Sequence, residues 1–140
     1  MYSNCWKQVS CTRTRIRRCS PSLIVKKPGM NQFRMTALVR GVNERTERMV
    51  WPIPMLGVVM EHLHGTEYFF PLDFSTGYRQ FFLEKSSQEN FSFLTDTGVY
   101  TPTRVLMRGS DSGAYCQSMV QEMFSDQYYK ELLIWLDDMI

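Results

Sequence analysis

This sequence lacks the features of a secreted protein or of a zinc-stabilised domain. Its four cysteines (Cys5, Cys11, Cys19 and Cys116) form no C-x-x-C pair, and no histidine pair at zinc-finger spacing accompanies them. They indicate reduced thiols. No apolar run reaches the roughly 20 residues of a membrane-spanning helix, and the first twenty residues lack the apolar stretch of a secretory signal. We therefore expect an intracellular protein of the cytoplasm or nucleus that does not bind a membrane.

Acidic residues are scarce in the first third of the chain, although the net charge of the whole is only +2. Eight basic residues of this part are Arg13, Arg15, Arg17, Arg18, Lys26, Lys27, Arg34 and Arg40. This distribution suits contact with phosphate groups. For residues 13–18 alone, a solvated arm is the simpler interpretation. We expect a basic, poorly ordered lead over residues 1–19 and one domain over residues 20–140.

The rest of the chain shows strand and helix patterns without internal repeats. Residues 22–25 and 33–39 predict an antiparallel pair of strands, and residues 54–65 and 110–130 predict helices. Further strands are expected in the apolar run before Asp73 and at residues 80–83, 91–94, 99–106 and 132–136. This order predicts an α+β fold in which helices cover an antiparallel sheet.

Two of the expected strands end in carboxylates, at Asp73 and at Asp137-Asp138. A carboxylate beside buried strand residues needs a partner, because desolvating it unpaired costs on the order of several kcal/mol. No lysine or arginine lies close in sequence to the aspartate pair. A divalent cation would meet this need, and Mg²⁺ prefers carboxylate and phosphate oxygens. Taken alone, however, residues 136–138 are more simply explained as a polar turn.

The residues around these aspartates change that interpretation. Residues 72–80, L-D-F-S-T-G-Y-R-Q, resemble the L-D-x-x-x-G-Y-x-Q motif of reverse transcriptases from gypsy-type long-terminal-repeat retrotransposons. Residues 135–138, W-L-D-D, resemble the Y-x-D-D box of the same family. The family's fingers region is matched at Ser20-Pro21, Lys26-Lys27, Phe33-Arg34, Arg40 and Asn43. The resemblance spans residues 20–140 and implies the fingers and palm of an RNA-directed DNA polymerase that extends a primer on an RNA or DNA template.

The resemblance also implies catalysis with two divalent ions, Mg²⁺ or Mn²⁺. The catalytic residues would be Asp73, Asp137 and Asp138, and the metal ligands would be these three together with the backbone carbonyl of Phe74. One ion would activate the primer 3′-hydroxyl, and the other would bind the triphosphate and stabilise the leaving pyrophosphate. Because the carboxylates would share the ions, we expect the three aspartates to converge in space.

Four further residues are assigned to the incoming deoxynucleoside triphosphate by the same resemblance. Lys27 and Arg34 match the cations that hold the triphosphate, and Gly109 lies in the stretch that supports the nucleotide and template. Tyr78 matches an aromatic ring that leaves no room for a 2′-hydroxyl and therefore selects deoxynucleotides. Without the surrounding motif, Tyr78 would be interpreted as a tyrosine of the hydrophobic core.

The sequence departs from the family pattern in three places. The aspartate usually found two residues before Arg40 is Leu38 here. The family stretch P-F-G-L-x-N-A-P is matched by residues 107–114, M-R-G-S-D-S-G-A, in which only Gly109 and Ala114 clearly survive. It places Arg108 where the family has an apolar or amide side chain. The chain also ends at Ile140, before the thumb and RNase H regions of such polyproteins.

The position of the last residue leads to an expectation about activity. Only Met139 and Ile140 remain to form the second strand of the hairpin at the aspartate pair. We therefore expect residues 132–136 at a sheet edge, a turn without ladder hydrogen bonds, and no appreciable polymerase activity from the isolated chain. Two alternatives stay open: an inactive transposon remnant, and a module that binds nucleic acid without chemistry. A metal site at Asp73 and Asp137 would distinguish a polymerase core from such a module.

Overall fold

The protein is described by a computed structural model for residues 10–26, 28–29, 33–136 and 138–140. In chain order, its strands and helices are β1 (Cys11–Thr14), β2 (Ser20–Lys26), β3 (Phe33–Ala37), α1 (Arg40–Asn43), α2 (Leu56–His62), β4 (Leu72–Asp73), α3 (Lys85–Gln88), β5 (Phe93–Thr95), β6 (Gly98–Pro102), α4 (Ser112–Met123), β7 (Ile134–Trp135) and β8 (Asp138–Met139). Two 3₁₀ turns, Gly77–Gln80 and Glu89–Phe91, flank α3. None of the described helices is long and apolar enough to cross a membrane.

The larger of the two sheets has five strands in the order β1-β6-β5-β2-β3. β2 pairs antiparallel with β3, as predicted for residues 22–25 and 33–39, and β5 pairs antiparallel with β6. The β5–β6 turn is Asp96-Thr97, followed by Gly98 with a φ of 149° that favours glycine. The two hairpins are joined by a short parallel pairing, Ser20 with Phe93 and Pro21 with Leu94.

Strand β1 shows that residues 11–14, part of the lead expected to be poorly ordered, form regular structure. β1 pairs with β6 from Cys11 and Pro102 to Thr14 and Val99. The Arg13 side chain donates a hydrogen bond to the Thr97 carbonyl, with an N–O distance of 3.1 Å. Because an edge strand can leave its charged side chains in solvent while its backbone pairs, the basic composition does not prevent strand formation.

The core is built where α4 packs on the second, three-stranded sheet. Its buried members are Phe81, Val105, Cys116, Val120 and Ile134. The helix over 110–130 was predicted too long, because turns after Met123 bring Tyr128 and Leu132 onto this cluster. Of the strand predicted at 80–83, the structure shows only an isolated antiparallel bridge between Phe82 and Arg104. A 3₁₀ turn ends at Gln80, and of the next two residues Phe81 is buried whereas Phe82 is 67% exposed. Here tertiary packing overrides the local pattern.

Candidate active site

The second sheet brings two of the predicted catalytic aspartates together. Its order is β4-β8-β7, and Asp138 on the central strand pairs directly with Asp73 on β4. Residues directly opposite in an antiparallel pair have Cβ atoms about 4.5–5.5 Å apart on the same face. The predicted convergence is therefore confirmed for Asp73 and Asp138. Asp137 and Lys27 lie outside the described residues.

The hairpin that carries Asp138 is better supported than the sequence suggested. Trp135 pairs with Asp138 and Ile134 with Met139, so that the connection between β7 and β8 has two residues. Leu133 and Ile140 exchange backbone hydrogen bonds of 2.8 and 2.9 Å. The expectation of a turn without ladder hydrogen bonds is wrong, because β8 pairs with β4 and β7 at once. The edge position expected for residues 132–136 is confirmed at β7.

Gln117 on α4 forms two hydrogen bonds with this hairpin, and the sequence analysis did not identify it. Its side chain is fully buried. Its Nε2 donates to the Ile134 carbonyl at 2.9 Å, and its Oε1 accepts from the Leu136 N–H at 2.6 Å. Leu136 has a φ of 60°, which is strained for a branched side chain and persists only where neighbours impose it. A glutamine between Cys116 and Val120 on the apolar face of α4 was the available signal.

The charges around Asp73 and Asp138 favour a bound cation. Both side chains are exposed, and they face each other as like charges. The described residues contain one ion pair, Arg40 with Glu44, so that neither aspartate is neutralised by a basic side chain there. Exposed carboxylates leave room for the water and phosphate ligands that Mg²⁺ retains. The donor chemistry of the two aspartates therefore fits a hard divalent ion.

The predicted third donor, the Phe74 carbonyl, already accepts a hydrogen bond from the Gly77 N–H at 2.8 Å. A carbonyl has two lone pairs, so one is left for a metal ion. Within the described parts of the chain, no three His, Cys, Asp or Glu side chains form a cluster that could hold a metal ion. The described donors are thus two carboxylates and one carbonyl.

A cavity of about 430 Å³ opens beside Asp73. Its size is in the range of about 300–1,000 Å³ that is typical of ligand sites. The predicted residues Arg34, Phe74 and Tyr78 line it together with Asp73, and so does Arg108, which was not assigned a role. Tyr78 also packs against the core cluster. The structure thus accommodates both interpretations of Tyr78, because one part of a half-buried ring packs on the core while another lines the cavity.

Gly109 is not brought to this cavity. It lines a second cavity of about 350 Å³, next to α3 and the start of α4. A Cβ atom added at Gly109 would come within 2.5 Å of Ser112 Oγ. The close approach of the loop to α4 therefore explains this glycine without a bound nucleotide.

The architecture is that of solved reverse transcriptases. A protease-reverse transcriptase mutant of prototype foamy virus matches with a TM-score of 0.82 and 19% identity, over 98% of this chain and 18% of that one. A foamy viral protease-reverse transcriptase in complex with RNA/DNA hybrid matches with a TM-score of 0.76 and 19% identity, over 98% of this chain and 18% of that one. The chain therefore has the α+β, reverse-transcriptase-like fold that its sequence predicted.

Curated relatives identify the group more closely. The retrovirus-related Pol polyprotein from transposon gypsy of Drosophila melanogaster is 26% identical over 126 residues, which are 86% of this chain and 12% of that protein. The Pol polyprotein from transposon opus of the same fly is 29% identical over 125 residues, again 86% of this chain and 12% of that protein. No protein-family model matches. The chain is related to the Pol polyproteins of gypsy-type retrotransposons, and it spans about 12% of the length of these relatives.

Proposed function

We propose that this domain carries out RNA-directed DNA synthesis by transferring a nucleotide from a deoxynucleoside triphosphate to a primer 3′-hydroxyl. The observation that carries the proposal is the direct pairing of Asp73 with Asp138 beside a cavity that Arg34 and Tyr78 also line. Two like charges paired across neighbouring strands, one of them lining the cavity, suit a site for divalent cations. A module that only bound nucleic acid would need basic residues and no such acidic pair.

Each residue of the site has a role in this reaction. Asp73 and Asp137 would hold two Mg²⁺ or Mn²⁺ ions, with Asp138 and the Phe74 carbonyl as further ligands. When bound, the ions would lower the pKa of the primer hydroxyl and neutralise charge on the leaving pyrophosphate. Arg34 would bind the triphosphate through its planar guanidinium, and Lys27 would add a point charge. Tyr78 would contact the sugar.

The template and primer are proposed from related proteins. Foamy viral protease-reverse transcriptases of the same fold have been solved in complex with double-stranded DNA and with RNA/DNA hybrid. In this chain the exposed basic side chains of the larger sheet, such as Arg13 and Lys26, are available for phosphate contact. We propose a primer–template duplex as the partner, and further Pol regions such as the thumb and RNase H as neighbours in a polyprotein.

Primer extension tests the proposed function. Residues 1–140 would replace the matching segment of the gypsy Pol polyprotein, and the purified chimera would be given an RNA template, a DNA primer and Mg²⁺. We expect extension that depends on the ion, and a loss of at least about 100-fold with Asp138→Asn, because a metal ligand at the reacting centre is removed. A folded chimera that binds the duplex but never extends the primer would favour a binding module without chemistry.

Sugar selection by Tyr78 is tested in the same chimera. Tyr78→Ala should raise ribonucleotide incorporation relative to deoxynucleotide incorporation by about 10-fold or more, because the freed space admits a 2′-hydroxyl. Tyr78→Phe is the matched control, since it keeps the ring and should keep the discrimination. Competing incorporation of each ribonucleotide and its deoxy counterpart is the measurement. If both variants discriminate like the unmodified chimera, Tyr78 is only a core residue.

A further inference from the structure

Arg108 lies at the wall of the Asp73 cavity, on a loop whose backbone is held in place. Asn43 Nδ2 donates to the Arg108 carbonyl at 2.9 Å, and Asn43 Oδ1 accepts from the Ser110 N–H at 3.0 Å. Ser112 Oγ donates to the Leu106 carbonyl at 2.6 Å on the other side of the loop. These hydrogen bonds fix the start of the Arg108 side chain without using its guanidinium.

The guanidinium of Arg108 has no protein partner within the described part of the chain. The ion pair there is formed by Arg40 and Glu44, and the hydrogen bond at Arg108 uses its backbone carbonyl. Arg34, on the same cavity wall, is likewise exposed and without an ion pair to a described residue. The cavity therefore has two arginines, Arg34 and Arg108, that form no ion pair with a described residue, next to an aspartate suited to a metal ion.

We propose that Arg108 is a second phosphate-binding residue, which together with Arg34 holds the triphosphate of the incoming nucleotide. This inference rests on the proposed function and deepens it. A guanidinium is positively charged and presents its N–H donors in a planar fork that matches phosphate oxygens. An apolar side chain lacks these donors, and an amide side chain lacks the charge.

Arg108 fits a phosphate inside the cavity better than the backbone of a template strand. It shares the cavity wall with Asp73 and Tyr78, the residues proposed to face the metal ions and the sugar. A nucleotide bound between these residues would place its phosphates near the ions, where further positive charge is favourable. Binding by Arg108 should also decline with added salt, since its side chain is exposed.

Inorganic tripolyphosphate, titrated calorimetrically into residues 1–140 in the presence of EDTA, isolates this contact from metal binding. Arg108→Gln should weaken tripolyphosphate binding by about 10-fold, the value of one charge-assisted hydrogen-bonded contact, and Arg34→Gln should have a similar effect. Arg48→Gln is the matched control, because it makes the same charge change at an exposed residue that lines neither cavity. Circular dichroism and thermal unfolding would confirm that all variants fold.

Three results would overturn the proposal. One is an unmodified protein that does not bind tripolyphosphate, and another is an Arg108→Gln variant that binds it as tightly as the Arg48→Gln control. The third is an Arg108→Gln variant that loses affinity for an RNA–DNA duplex but not for tripolyphosphate, which would assign the residue to the template backbone. The proposed function fails separately, through the absence of Mn²⁺ binding at Asp73 and Asp138 or of primer extension by the chimera.

Discussion

Replacing Asp73 by asparagine should weaken Mn²⁺ binding by this protein at least about 100-fold, because the site loses one of its two described carboxylates. The free-ion signal in electron paramagnetic resonance measures the affinity directly. Asp138→Asn should have a comparable effect, since the two residues pair across β4 and β8. Mn²⁺ is a suitable probe because it accepts the same oxygen ligands as Mg²⁺.

The same substitution should have the opposite effect on the stability of the metal-free protein. Like charges placed directly opposite on neighbouring strands destabilise a sheet, so Asp73→Asn should raise the melting temperature when EDTA is present. With Mn²⁺ in excess, the unmodified protein should be the more stable of the two, because an ion that binds only the folded state stabilises it. A structural aspartate without a metal role would not reverse the order of stability.

Asp126→Asn is the control for these measurements. Asp126 is exposed and follows α4, away from the sheet that carries the aspartates. Its substitution makes the same change of charge and should leave Mn²⁺ affinity unaltered. If Asp73→Asn binds Mn²⁺ as tightly as Asp126→Asn does, the metal site is not at Asp73 and the two-ion mechanism loses its support.

Gln117→Met is expected to have a large effect on the stability of the protein, because this glutamine is fully buried. Methionine keeps the volume of the side chain but removes both hydrogen bonds to the hairpin. The Ile134 carbonyl and the Leu136 N–H would be left without these partners, at about 1–3 kcal/mol for each buried group. Because Leu136 is only half-buried, we expect a loss of about 2–4 kcal/mol, measured by urea denaturation.

A metal measurement separates a positioning role of Gln117 from a purely structural one. Leu136 keeps its left-handed backbone only while its neighbours impose it, and it immediately precedes the aspartate pair. Loss of the Gln117 contact should therefore also lower Mn²⁺ affinity, by about 10-fold, in protein that is still folded. If affinity is unchanged at a temperature well below unfolding, Gln117 serves the core alone.

Gln121→Met provides the comparison on the same helix. Gln121 is half-buried, accepts a hydrogen bond from Trp51 at 2.9 Å and donates one to the Tyr128 hydroxyl at 2.6 Å, but it does not touch the hairpin. Its loss should lower stability less than the loss of Gln117, and it should leave Mn²⁺ affinity as it is. Equal effects of the two variants on the metal would contradict a specific role for Gln117.

Much of this fold could be predicted because local signals were strong. The strands expected at 91–94 and 99–106 correspond to the β5–β6 hairpin, and helical spacing indicated α2 and α4. The two aspartate motifs, resembling those of gypsy-type reverse transcriptases, indicated that distant residues belong to one site. These signals depend on residues near one another in sequence, or on a motif order that the chain retains.

The remaining features depend on contacts that no local pattern contains. β1 became a strand because β6, far along the chain, supplied a partner for a basic segment. The predicted helix over 110–130 ended early because Tyr128 and Leu132 bury more surface by turning back to the core. Gln117 could be recognised only once its amide was seen to join Ile134 and Leu136.

The sequence by itself determined the fold class, the identity of Asp73 and Asp138 as candidate ligands, and the relation to retrotransposon reverse transcriptases. Tertiary structure decided which residues share the cavity, since it placed Arg34 and Arg108 beside Asp73 and left Gly109 in another cavity. It also decided that the hairpin is stabilised, because β8 is paired on both sides and the buried Gln117 bonds to Ile134 and Leu136. The physical reason is that local propensity is set by neighbouring residues, whereas burial, register and shared charge arise only when distant segments pack together.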